Sequence, residues 1–357
     1  MTATTEALDA IVIGAGLAGL TAAHQLSRTR RVALVEARSR VGGRVQSVPA
    51  GGGAIEAGAT WFWANEPVIR AAATDLGLEI YSQNIDGDAL FETADGGAQR
   101  LGGNPIDGPA FRLAGGAQGL AEALAAQLPA GTLRLGSPAS SVTFTSDGLE
   151  VDVAGRRLRA AQGILAVPPA LAVEQLSFHP DLPASMRETA RRVPVWMAGM
   201  VKAIAVYDAD FWHPQGLAGA AISYAGPFRE FHDHSGPEGS PAAIFGFAPA
   251  EIFAHADPEE IGEAFRGQLR RLFGDDAARP RELHVTDWSR ERYTQPAAAP
   301  ASARASFGGP EFQAPVHERL YWASTETAPA FGGHMEGALL AGLSAAERVE
   351  RALANSR

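Results

Sequence analysis

Three glycines and one acid in this chain are spaced to hold a diphosphate. Gly14, Gly16 and Gly19 follow the apolar run Ala10–Ile13, with Ala15 and Ala18 between them, and Glu36 lies 22 positions after Gly14. In that pattern the first glycine permits a tight turn, the second lets backbone approach a pyrophosphate, and the third allows close helix packing. An acid at that distance hydrogen-bonds ribose hydroxyls. A second chemical group is Lys202, in Val201-Lys202-Ala203-Ile204-Ala205-Val206-Tyr207. A strand period puts it on one face with Ile204 and Val206. Burial there should lower its pKa, and an amine out of water needs a partner. The other reading is a lysine at a strand end whose head reaches solvent. A third group is His334, just before Met335-Glu336-Gly337-Ala338. Its imidazole can face a substrate by polar contact, accept a proton near neutral pH, or only hold its neighbours in position.

The elements that must place these groups can be read from the same segments. Residues 10–13 suit a buried parallel strand, and a helix over about 17–28 would aim its free N–H groups at phosphates. A second strand, Arg31 to Val35, ends at Glu36. Strand, helix, strand and acid in that order separate this turn from an ordinary glycine turn. NAD and FAD both use it, so the following residues decide. Ala37-Arg38-Ser39-Arg40-Val41-Gly42-Gly43-Arg44 comes next. The double glycine lets the chain fold over a cofactor, and Arg38 and Arg44 can neutralise its diphosphate.

That string resembles the second fingerprint of the flavin amine oxidase family, which includes monoamine, polyamine and L-amino-acid oxidases. The resemblance continues along nearly the whole chain. Glu56-Ala57-Gly58-Ala59-Thr60-Trp61 is similar to the family loop that passes the isoalloxazine ring. Gly115-Gly116 and the helix to about Leu128 are similar to another family element. Val142 sits where the family places a backbone contact to adenine, in a strand pair near 141–154. Leu165 to Pro169 resembles the strand returning to the flavin domain. Val201 to Trp212 resembles the strand with the family lysine, and Trp288, Glu291 and Tyr293 the stretch before the reactive face. Tyr321 to Thr327 and Gly333 to Ala338 resemble the closing element, with Thr325, Glu326 and Met335 toward the cofactor.

The resemblance implies an α/β fold: an FAD-binding Rossmann-like domain (1–80, 111–190 and 291–357) interleaved with a reduced α+β substrate domain (81–110 and 191–290). It implies that Lys202 holds a water against the flavin and assists reaction with oxygen, and that Trp288 packs beside both. His334 stands where monoamine oxidases carry one tyrosine of an aromatic cage, and the second wall aligns near Ala298, so the cage of two tyrosines is not present. Ser324 replaces a family glycine two residues before Glu326. Trp61 and Trp63 follow the flavin loop and can line the pocket entrance, although core packing is the preferred reading for Trp63, Trp196 and Trp212.

Composition narrows the rest. The 357 residues suffice for one large or two interlocked domains, and 46% hydrophobic residues supply a core. A net charge of −10 disfavours nucleic acid and anionic membrane as partners. There are no cysteines, which removes disulfides, a thiol nucleophile and thiolate metal sites. The FAD should therefore be noncovalent, unless a histidine or tyrosine tethers it. No HExxH, GxSxG or P-loop motif is present. Residues 1–6 lack the pattern of a signal peptide, and 335–354 reads as an amphipathic packing helix, so a cytoplasmic protein is expected. The zones 86–119 and 294–310 read as glycine- and proline-rich loops.

The expected activity is oxidation of an amine or amino acid to an imine, with dioxygen or another acceptor taking the electrons. Arg192, Arg229, Arg290 and Arg292 are candidates for a substrate carboxylate. The short first substrate segment implies a more open pocket, or one covered by another subunit in a homo-oligomer. Two alternatives stay open: a C–C desaturase of a hydrophobic substrate, and a flavin-binding partner subunit with little turnover.

Overall fold

The computed structural model describes residues 8–297 and 307–355. Two sheets carry the fold. The first runs Ser177–His179, Ala139–Phe144, Leu149–Val153, Arg156–Leu165, Leu8–Ile13, Val32–Val35, Leu133–Arg134, and Leu320–Trp322 also pairs with the far half of Arg156–Leu165. At its centre Leu8–Ile13 lies parallel to both neighbours. These strands are covered on both faces, which is why they are nearly continuous apolar runs. Helices Leu17–Ser27, Ala117–Ala126 and Met335–Asn355 cover one face through Leu20, Leu120, Leu339 and Val349. The other face is closed by Leu176, Phe178, Val193 and Phe312.

The second sheet runs Glu282–Asp287, Met200–Tyr207, Ala242–Pro249, Glu230–Asp233, Leu217–Ser223, Asp88–Glu92, Ala98–Arg100. Its pairs are antiparallel except for Leu217–Ser223 beside Asp88–Glu92. Helix Pro258–Phe273 covers one face. A capping box between Asp257 and Glu260 starts it, and Ile261, Phe265, Leu269 and Leu272 repeat at helical spacing toward the strands. The opposite face carries Lys202, Ile204 and Val206, and the latter two pack against Ala50 and Ile55 of the hairpin Ser47–Ala50/Gly53–Glu56. Lys202 thus faces the first sheet's unit because strand alternation leaves it no other side.

Every strand of the first sheet lies within 1–80, 111–190 or 291–357, and every strand of the second within 81–110 or 191–290. The zone 86–119 is not all loop: Asp88–Glu92 and Ala98–Arg100 form a hairpin edge of the second sheet. Asp95-Gly96 is the turn signal there, and Gly96 takes φ +86°. Among the described residues no helix is long and apolar enough to cross a membrane.

Candidate functional site

A cavity of about 1110 Å³ is lined from both units. The glycine turn forms one end of it. Gly14 has φ +102°, and a Cβ there would stand 2.6 Å from the Ala166 carbonyl. A Cβ on Gly19 would meet the Gly14 carbonyl at 1.8 Å, so no side chain fits between helix and strand. Gly16 differs: a Cβ there would meet no protein atom nearer than 3.9 Å and would fill the cavity instead. One glycine is left open where a pyrophosphate must pass, and the residues present fit a dinucleotide.

Glu36 closes the turn. Its carboxylate accepts from the Ala15 N–H at 2.7 Å and the Arg38 N–H at 2.9 Å, and it still borders the cavity with spare lone pairs. Glu36→Gln should weaken FAD binding about ten- to a hundred-fold, the loss of a charge-assisted bond. Titrating apoprotein with FAD would show it; unchanged affinity would remove Glu36 from the cofactor site.

Both arginines of the second fingerprint border the cavity, yet each is tied to carboxylates. Arg38 donates to Glu291 at 3.2 Å and Thr294 at 2.9 Å, and lies over the Tyr293 ring. Arg44 makes a bidentate pair with Glu326 at 2.5 and 3.0 Å. Gly43, Ala18 and Ala37 complete this end of the lining.

At the other end Gly58, Ala59, Thr60 and Trp61 line the wall beside Lys202 and Trp288. Lys202 is 1% exposed. Its Nζ donates to Thr60 Oγ1 at 2.6 Å and to the Gly58 carbonyl at 3.1 Å, and lies 4.2 Å from the Phe245 ring centre. Burial drives its pKa down to about 7, against the buried Glu56 carboxylate, which raises it. Trp288 donates its Nε1–H to the Ala57 carbonyl at 3.0 Å, fixing the loop that carries these groups. Thr325 Oγ1 donates to the His334 carbonyl and accepts from the Gly333 N–H, so the closing turn is tied to the start of the last helix. Thr325, His334 and Met335 all reach the cavity.

The comparisons with known proteins agree with this cradle. The model of flavin containing amine oxidoreductases matches residues 17–101 and 85–350. The chain belongs to the flavin-containing amine oxidoreductase family. It is a flavoprotein oxidoreductase, and FAD is its cofactor. The probable flavin-containing monoamine oxidase A of Dictyostelium discoideum is 31% identical over 252 residues, covering 69% of this chain and 54% of that protein. The putrescine oxidase of Kocuria rosea is 24% identical over 459 residues, covering 96% of this chain and 95% of that protein. That alignment is longer than the 357-residue chain, so roughly a hundred positions of the relative have no counterpart here. The solved cyclohexylamine oxidase from Brevibacterium oxydans superposes with a TM-score of 0.87 at 23% identity, over 98% of this chain and all of that one. It shows the shared fold.

Several residues of this amine oxidoreductase that the sequence places at the site stand apart from the cavity lining or at another part of it. Val142 is fully buried and paired to Val151 and Phe178, away from the cavity. Its strand starts at the cavity and runs away from it, so Ser137, Pro138 and Ala139 form the wall. Glu326 does not border the cavity; it is fully buried and spends both oxygens on Arg44. Ala15 and Gly19 lie beneath the lining and shape it through backbone. Glu291 and Tyr293 stand against Arg38, at the Glu36 end rather than near Lys202. Trp63 and Trp196 line the cavity, whereas Trp212 is core and donates to Asp233. Ala298 lies outside the described residues.

The partners of two buried acids were not legible in the sequence. Glu66, 1% exposed, meets His334 Nδ1 at 2.5 Å across 268 residues. Glu56 is buried with Arg112 at 2.8 Å and His234 at 3.0 Å. Burial pushes His234 down to about 3, so that ring is neutral.

Proposed function

We propose that this chain oxidises the C–N bond of an amine or amino acid to an imine, with electrons passed to dioxygen or another acceptor. The observation that carries the reading is Lys202: a dry amine, held by Gly58 and Thr60, in the same cavity as a dinucleotide cradle. FAD, noncovalently bound, supplies the hydride acceptor. Gly14, Gly16 and Glu36 hold its diphosphate and ribose end, and Gly58 to Trp61 with Met335 border the opposite end. Lys202 offers a cation near neutral pH where negative charge develops on oxygen. Trp61, Trp63, Phe247 and His334 line the space left for a substrate. The first sheet's unit binds the cofactor and gives Trp61, Trp63 and His334 to the substrate space, and the second, reduced unit adds Arg229, Glu230 and Phe247.

Three of the four candidate arginines are engaged elsewhere. Arg192 pairs with Glu188, Arg290 with Asp287, and Arg292 lies over Tyr293. Arg229 borders the cavity without a carboxylate partner among the described residues. Amino acids therefore belong in the substrate screen beside simple amines. The polar pair Glu66–His334 at the wall favours amines over the hydrophobic substrate of a desaturase, and a buried Lys202 argues against a subunit without turnover. The test is anaerobic bleaching of the flavin band near 450 nm by amines, amino acids and polyamines, a general flavin readout at about that wavelength. At least one class should bleach it; bleaching only by a C–C desaturase substrate would replace this reading.

A further inference from the structure

His334 borders the cavity with its side chain 35% exposed, and its Nδ1 meets Glu66 Oε1. Glu66 cannot swing freely: its other oxygen accepts the Trp63 N–H at 3.1 Å, and the side chain is buried. The Trp63 ring stands 5.1 Å from the imidazole, and the His334 backbone is fixed by Thr325 and Phe331. An ionised carboxylate only accepts, so Nδ1 carries a hydrogen and Nε2 is the ring's acceptor. Nε2 bonds to no described residue.

We propose that Glu66 and His334 form a dyad that takes the proton from the substrate's ammonium group. The proposal rests on the amine-oxidising reading above. An alkylamine is protonated at neutral pH, with a pKa of about 10, as for lysine. Its nitrogen then has no lone pair to support C–H cleavage at the neighbouring carbon. In the step, one N–H bond of the ammonium breaks and its electron pair stays on nitrogen. The proton goes to Nε2. The resulting imidazolium keeps its Nδ1–H bond to Glu66, whose charge balances it, and Glu66 stays unprotonated. His334 is the catalytic residue and Glu66 the positioning residue. Other charges are arranged so as not to compete. Glu336, in the first turn of the helix that follows His334, spends both oxygens on the Val68 and Ile69 N–H groups. Lys202 is engaged by Thr60, Arg44 is paired with Glu326, and Arg229 and Glu230 complete the charged groups of the substrate wall.

The test uses FAD-loaded wild type, H334Q, E66Q and E66D, mixed anaerobically with an amine that wild type oxidises. At pH 7 the limiting bleaching rate should fall about a hundred-fold in H334Q, with a smaller loss in E66Q, as for loss of a general base. E66D should recover part of the E66Q loss. Relative to wild type, both losses should shrink as pH approaches the amine's own pKa, because solvent then supplies free amine. A structural role alone would not produce that pH-dependent recovery. Visible spectra confirm that each variant keeps its FAD; if the Glu66 variants lose it, H334Q decides. An H334Q rate equal to wild type at pH 7, or a loss equal at pH 7 and near 9.5, overturns the dyad. Failure of every amine to bleach wild type would instead overturn the amine reading.

Discussion

Arg112→Met should destabilise the protein by about 3–5 kcal/mol, the range for removing one partner of a buried ion pair. Arg112 is 1% exposed. It donates to Glu56 at 2.8 Å and to the Ser235 carbonyl at 2.8 Å, with its guanidinium over the Tyr81 ring. These contacts join the Gly53–Glu56 strand to the second sheet. Burial raises the Glu56 pKa, but Arg112 and then His234 outweigh it and hold the carboxyl at about 2. Without Arg112 that carboxylate is left in a dry site. The double variant R112M/E56Q should regain part of the loss, because it leaves no lone charge. Thermal and urea unfolding would measure both, and an R112M protein within about 1 kcal/mol of wild type would contradict the argument. The sign with pH follows. A depressed carboxyl pKa contributes stability above its unfolded value near 4.5, and that contribution is lost as pH falls toward 2.

Lys202→Met should keep its FAD and slow oxygen-dependent reoxidation by about 10²–10³, the effect of removing one preorganised electrostatic group. With the Lys202 pKa near 7, the cation is present below that pH, so wild-type reoxidation should slow as pH rises through it. The variant should lack that step. Stopped-flow mixing of reduced enzyme with oxygenated buffer gives both results, and a variant as fast as wild type would remove Lys202 from oxygen chemistry. Stability should move the other way. The unfolded lysine titrates near 10.5 and the folded one near 7, so the unfolded chain binds more protons between them. Lys202 therefore makes stability rise with pH across that window, and the methionine variant should lose this slope.

What could be read from the chain was what local periodicity and spacing encode. The glycine turn, Glu36 and the inward face of Lys202 depend on neighbours in sequence, and the structure places all of them on one cavity. Val142 was placed by resemblance alone; its register along the strand is set by pairing with Val151 and Phe178, and the wall is three residues earlier at Ala139. Arg38 and Arg44 announced positive charge, but not that Glu291 and Glu326 would neutralise it. Glu66 was invisible because nothing near it signals a histidine 268 positions away. The hairpin at 88–100 was legible through Asp95-Gly96, but the surrounding glycines obscured it.

The last strand, Leu320–Trp322, completes a sheet begun by Leu8–Ile13, and the last helix lies on the first. Residues 320–322 and 335–355 must therefore be in place before the prosthetic group has a closed seat. Such pairing of remote segments makes assembly slow. A chain cut before Leu320 would lack Thr325, His334 and Met335 from the cavity wall.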